Sequence, residues 1–114
     1  MGKKKQRIDE LLRTLIAEEV AELKDPRLGF VTITAVKVTP ELYRADVFFS
    51  VLGDEARRAA TQAGLASASA RVRARVAARV RLRRMPELHF RPDLTLESAL
   101  RISEILTHLE DDNH

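Results

Sequence analysis

The stretch Phe30-Val31-Thr32-Ile33-Thr34-Ala35-Val36-Lys37-Val38, followed by residues 43–51, decides the fold of this sequence. The first segment is rich in β-branched residues and too short for a buried helix, so it is read as a strand. Its apolar alternation changes phase near Ala35, which predicts a β-bulge. The second segment alternates regularly between apolar and polar residues. Because only the turn Thr39-Pro40-Glu41 separates the two segments, they are predicted to form a β-hairpin.

Helices are predicted on both sides of this hairpin. The first begins at about Gln6 and should end near Lys24, because Pro26 disfavours helical geometry in the residue before it. After the hairpin, one helical stretch extends to about Gly64. Another follows over residues 65–82, with valines along one face.

The C-terminal part adds a short strand over residues 88–91 and a last helix, for which Thr95 is the predicted N-cap. The order α-β-β-α-α-β-α predicts an α+β fold, with a three-stranded sheet packed against helices. We expect a single domain over residues 1–114. A basic N-terminal arm (residues 1–6) and a short polar tail (residues 110–114) are predicted at its ends.

The composition excludes several classes of function. The chain has 114 residues, of which 45% are hydrophobic, enough for one modest core in one domain. It contains no cysteine, which excludes disulfides, thiolate metal sites and cysteine nucleophiles. No apolar run approaches the roughly 20 residues that a membrane helix needs. We therefore expect a cytoplasmic protein with no membrane partner. We also expect a monomer.

The sequence offers little for catalysis. It has no His-x-x-x-His or Glu-x-x-His pair for a metal, no nucleophile elbow and no glycine-rich phosphate loop. Asp25 and Asp93 stand beside prolines as turn residues, and Asp46 should face solvent on a strand. We therefore expect a protein that is not an enzyme, with no catalytic residue, metal or cofactor.

The net charge of +3 hides a strongly basic segment. No acidic residue lies between Glu55 and Glu87, whereas nine arginines do. Such a segment on a balanced domain indicates a polyanionic partner. The candidate RNA-binding residues are Arg71, Arg73, Arg75, Arg79, Arg81, Arg83 and Arg84, with Lys3, Lys4, Lys5 and Arg7 near the N-terminus. For some helix arginines the alternative is an ion pair with Glu18, Glu19 or Glu22 of the first helix.

Aromatic residues are few, and most fit the core-facing pattern. They are Phe30, Tyr43, Phe48, Phe49 and Phe90. This argues against an aromatic base-stacking surface, so we expect RNA binding to depend on phosphate contacts and shape. His89 should be exposed, which makes it a minor candidate for an RNA contact.

Three sets of motifs together resemble the ribosome-binding factor A family. They are Asp25-Pro26-Arg27-Leu28 with Val31-Thr32-Ile33-Thr34-x-Val36-x-Val38, then Ala45-x-Val47 with Ser50, then Arg81-Leu82-Arg83-Arg84-Met85-Pro86-Glu87-Leu88-x-Phe90 with Asp93. The resemblance covers the chain from about Arg7 to Leu109. It implies a KH-like fold of the type II order.

The resemblance also implies a function. Members of this family are non-enzymatic assembly factors that bind the small (30S) ribosomal subunit and its 16S rRNA, near the 5′-end helix. They act during late maturation and rRNA processing, with a role in cold adaptation and an assembly GTPase as a further partner.

In this family a kinked helix pair around Ala-x-Gly replaces the Gly-x-x-Gly loop of KH domains. The matching positions here are Ala68, Ser69 and Ala70. Because Ala70 stands where the family pattern has glycine, a straighter helix is favoured. Gly64 is the alternative position for a break.

Two other functions stay open from the sequence alone. One is a protein-interaction module that docks on a ribosomal protein or a GTPase through a helix face. The other is a general binder of double-stranded nucleic acid. The acid-free arginine segment favours RNA over a protein partner.

Overall fold

The computed structural model describes residues 2–94, with side chains described from residue 6 onward, and this part of the chain contains two helices and three strands. The elements are α1 (Gly2–Ala21), β1 (Val31–Val38), β2 (Arg44–Val51), α2 (Glu55–Ala77) and β3 (Glu87–Pro92). The strands form one sheet in the order β1-β2-β3, with β1 antiparallel and β3 parallel to β2. The α+β class and the three-stranded sheet packed against helices are confirmed. The predicted last helix lies outside the described residues.

The hairpin has the predicted bulge. Val31 pairs with Val51 and Val38 pairs with Ala45, but the register shifts between Ile33 and Ala35. The residue at the shift is Thr34, whose hydroxyl lies 2.5 Å from an Asp93 carboxylate oxygen and 3.3 Å from the carbonyl oxygen of Phe48. The bulge therefore turns one threonine out of the β1–β2 ladder and links β1 to the residue after β3.

The core lies between one face of the sheet and the two helices. Alternate residues of β2 are fully buried, as the sequence alternation predicts. The buried residues of the core include Leu12 and Ile16 of α1, Val47 and Phe49 of β2, and Leu65, Val72 and Val76 of α2. α1 is also fixed to β1 by a hydrogen bond of 3.1 Å from the Val38 amide to the Asp9 carboxylate.

The bounds of α1 differ from the predicted ones. The helix begins at Gly2, so residues 2–6 of the predicted basic arm belong to α1. It ends at Ala21, a few residues before the predicted end near Lys24.

Between β2 and β3 the structure has one helix where two were predicted. α2 runs without interruption through Gly64 and through Ala68, Ser69 and Ala70. A Cβ on Gly64 would lie 2.9 Å from Leu28 Cδ2 and 3.4 Å from an Asp25 carboxylate oxygen. The glycine therefore permits close packing of the 25–28 loop on α2, and the prediction of a helix break there was wrong.

The predicted C-terminal end of the second of these helices was also wrong. α2 ends at Ala77, with Ala78 as its C-cap, and residues 78–86 form the connection to β3. We call residues 78–86 the basic loop, because Arg79, Arg81, Arg83 and Arg84 lie in it.

Candidate RNA-binding surface

A groove of about 470 Å³ lies between α2 and β3. β3 is an edge strand, so its outer backbone groups face this groove and not another strand. One of them, the carbonyl oxygen of Phe90, accepts a hydrogen bond of 2.8 Å from Gln62 Nε2 on α2. The α2 wall includes the small side chains of Ala66, Ser69 and Ala70. This wall leaves room for a ligand beside the strand edge.

Arginines from the sheet contribute positive charge to the groove. Arg44 of β2 and Arg91 of β3 both line it. Both guanidinium groups approach the same carboxylate, that of Asp46, at 2.9 Å and 3.6 Å. Two cations therefore share the Asp46 carboxylate, and Glu87 is a second acidic residue on the same wall of the groove. Neither arginine was among the predicted site residues, although both lie on the polar side of the strand alternation.

Arg73 holds the basic loop against α2. Its guanidinium donates hydrogen bonds to the carbonyl oxygens of Met85, at 2.5 Å, and Pro86, at 3.0 Å. The side chain is half-buried and also lines the groove. Charge-assisted bonds from one planar group to two successive carbonyls fix where β3 begins.

Arg75 and Arg79 form ion pairs with α1. Glu19, which is only 8% exposed, accepts hydrogen bonds from Arg75 at 2.7 Å and from Arg79 at 3.0 Å. Arg79 also donates to Glu18 at 2.5 Å. The alternative of ion pairs with the first helix is confirmed for both arginines. The positive charges of Arg75 and Arg79 are therefore already paired with glutamates in the free protein.

The pKa values follow from these contacts. The pKa of Glu19 is lowered, first by its hydrogen bond from Arg75 and then by Arg79, against the opposing effect of burial. The pKa of Arg79 is raised, mainly by its hydrogen bonds to Glu18 and Glu19. Each charged form thus stabilises the other across the α1–α2 contact.

The remaining candidate arginines are more available to bind a ligand. Within residues 6–94, Arg71, Arg81 and Arg83 are exposed and have no ion-pair partner. Arg84 is exposed too, and its guanidinium stacks on the ring of Tyr43, 4.1 Å from the centroid. The basic loop therefore presents cations that no acidic side chain within residues 6–94 neutralises.

The N-terminal candidates lie on α1. Arg7 is exposed there. Lys3, Lys4 and Lys5 belong to its first turns, and their side chains lie outside the described part of the chain.

The aromatic residues were only partly placed correctly from sequence. Phe49 and Phe90 are buried as expected, but Phe30 is 84% exposed and Tyr43 is 60% exposed. The expectation that most aromatics face the core was therefore wrong for these two, which flank the strands β1 and β2 and are not covered by the helices. His89 is exposed, as predicted.

The described residues contain no group of three or more histidine, aspartate or glutamate side chains placed to hold a metal ion. Neither α1 nor α2, the helices described within residues 2–94, combines the length and apolarity that crossing a bilayer requires.

The fold and this surface define a class: a small α+β protein in which two helices cover one face of a mixed sheet and arginines gather beside an edge strand. The sequence model of ribosome-binding factor A matches residues 4–106, and the chain belongs to the ribosome-binding factor A family.

Relatives in this family match the chain over most of its length. Ribosome-binding factor A of Geobacter sulfurreducens is 37% identical over 111 residues, which are 96% of this chain and 94% of that protein. The protein of the same name from Rubrobacter xylanophilus is 44% identical over 106 residues, covering 89% of this chain and 83% of that one. The resemblance drawn from the motifs is confirmed.

Solved structures of the family share the fold. The crystal structure of ribosome-binding factor A from Thermus thermophilus matches with a TM-score of 0.70 at 34% identity, over 77% of this chain and 94% of that chain. A homology model of the Thermus thermophilus protein, fitted into a cryo-EM map of its complex with 30S, matches with a TM-score of 0.61 at 34% identity. This match covers 71% of this chain and 86% of that one.

Proposed function

We propose that this protein is an assembly factor that binds the small ribosomal subunit through 16S rRNA, in the region of its 5′-end helix, during late maturation and processing of that RNA. Membership of the family supports the proposal, as does the Thermus thermophilus relative fitted into the map of a 30S complex. The family resemblance extends the proposal to a monomeric cytoplasmic protein that has a role in cold adaptation and works with an assembly GTPase.

The observation that carries the proposal is the basic loop beside the groove. Arg81 and Arg83 project from it without an acidic partner among the described residues. Arg44 and Arg91 add guanidinium groups from the sheet side, next to Asp46. A planar guanidinium group can donate two parallel hydrogen bonds to the oxygens of one phosphate. Several such groups along one groove therefore suit the backbone of a nucleic acid.

This arrangement positions RNA more than it reads sequence. Contacts to phosphate fix the register of a bound strand without distinguishing the bases. Arg75 and Arg79 contribute less to the proposed surface than the sequence predicted, because they already bind Glu18 and Glu19.

Sedimentation with purified ribosomal particles tests the proposal. The protein should pellet with small subunits and less with large subunits or intact ribosomes. The logarithm of its affinity should fall with the logarithm of salt, with a slope of about −0.7 to −0.9 per phosphate contact. A slope near zero, or binding that survives nuclease digestion of the subunits, would contradict RNA recognition and favour docking on a ribosomal protein.

A further inference from the structure

Tyr43, the only tyrosine of the chain, has an unusual position. It immediately precedes β2, and the alternation of that strand puts it on the same side as buried Ala45. Tyr43 is nevertheless 60% exposed. Its backbone is held in the sheet, where its carbonyl oxygen accepts a hydrogen bond of 3.0 Å from the Glu87 amide.

Arg84 from the basic loop covers part of this ring. The guanidinium carbon lies 4.1 Å from the ring centroid, which is the distance of a close stacked contact. The pair combines an aromatic surface with a permanent positive charge, and both side chains stay exposed. An unpaired nucleobase stacks readily on such groups, because every base has a flat π face.

The contact between Tyr43 and Arg84 is not needed to hold the basic loop in place. Arg73 already holds the two residues after Arg84, through its hydrogen bonds to the carbonyl oxygens of Met85 and Pro86. The loop is therefore attached to α2 next to Arg84, independently of Tyr43.

The pair does not itself line the groove, but residues next to it do. Arg44, which follows Tyr43 in the sequence, lines the groove, and so does Glu87, which bonds to the Tyr43 carbonyl oxygen. Arg83 precedes Arg84 in the loop and is exposed. A strand of RNA whose phosphates contact the loop would therefore bring its bases next to the tyrosine ring.

We infer that the Tyr43–Arg84 pair is a stacking site for an unpaired nucleobase of single-stranded RNA. The inference rests on the proposed function and deepens it: the surface takes an unpaired strand and holds at least one base by stacking, in addition to the phosphate contacts.

The single tyrosine makes the test direct. Its ring protons give one set of aromatic tyrosine signals in the NMR spectrum of the full chain. Titration with an unstructured oligouridylate should shift these signals upfield through the ring current of a stacked base. A base-free oligoribonucleotide of equal length and charge should bind more weakly and leave them unshifted.

Substitutions test how much the stacked base contributes to binding affinity. Tyr43→Ala should weaken binding of oligouridylate and of small subunits by about tenfold, the size expected for one lost stacked base. Tyr43→Phe, which keeps the ring, should bind like the wild type. Phe30→Ala is the matched control, since Phe30 is the other highly exposed aromatic and precedes β1 at the opposite end of the hairpin. Thermal melts confirm that each variant folds.

The outcomes distinguish failure of the stacking site from failure of the proposed function. If small subunits bind with the expected salt dependence but Tyr43→Ala binds like the wild type, or oligouridylate does not bind, the stacking site is refuted and the proposed function stands. If the wild-type protein binds neither small subunits nor oligouridylate, the proposed function fails and the inference fails with it.

Discussion

Replacing Arg73 by methionine should lower the free energy of unfolding by about 2–3 kcal/mol. Arg73 donates two charge-assisted hydrogen bonds, to the carbonyl oxygens of Met85 and Pro86. Each bond of this kind contributes about 1.5–3 kcal/mol. The two bonds together would give about 3–6 kcal/mol. We expect a loss at or below the lower end of this range, because groove water can hydrate the freed carbonyls and methionine keeps a long apolar stem and good helix propensity.

Urea titration followed by circular dichroism measures this loss of free energy. In a separate thermal melt the melting temperature should be lower by about 10 °C. Arg71→Met is the matched control. Arg71 lies two residues away on α2, is exposed, and has no ion-pair partner among the described residues. It should change stability by at most about 0.5 kcal/mol. Equal effects of the two substitutions would refute the structural role of Arg73 and leave it free for RNA, as the sequence first indicated.

Two further predictions concern the helices. The lowered pKa of Glu19 means that its contribution to stability is present above the ordinary glutamate pKa and is lost as the pH falls through the lowered pKa of the folded state. The stability advantage of the wild type over Glu19→Gln in urea should therefore shrink on acidification; an advantage independent of pH would argue against ion pairs at this site. Ala70→Gly should lower the stability by about 1 kcal/mol in thermal melts, because Ala70 lies inside the continuous α2, whereas a stabilised variant would indicate a left-handed residue there.

The hairpin could be predicted because its signals are local. Alternation along residues 43–51 fixes which side chains are buried, and the phase change near Ala35 marks the bulge. The continuity of α2 could not be predicted in the same way. Gly64 is a break signal by local propensity, but the close approach of Leu28, distant in sequence, is what the glycine permits.

The positive charge of the candidate site could be predicted from the sequence, but the arginines that remain available for a ligand could not. The acid-free segment locates the positive charge near α2 and the basic loop. Which arginines remain available depends on the packing of α1 against α2, which brings Glu19 to Arg75, and on the return of the basic loop, which brings Arg84 to Tyr43. These are contacts between residues far apart in sequence, so periodicity and composition do not reveal them.

Charge reversal in the basic loop tests the central claim most directly, by co-sedimentation with purified small subunits at moderate salt. We compare two double variants. One carries Arg81→Glu and Arg83→Glu, and the other carries Lys24→Glu and Lys37→Glu. The control pair makes the same change in net charge at exposed positions outside the loop and the groove. We predict that the loop variant melts like the wild type but loses most of its binding, while the control variant keeps most of it. A folded loop variant that binds small subunits as the wild type does would contradict the account.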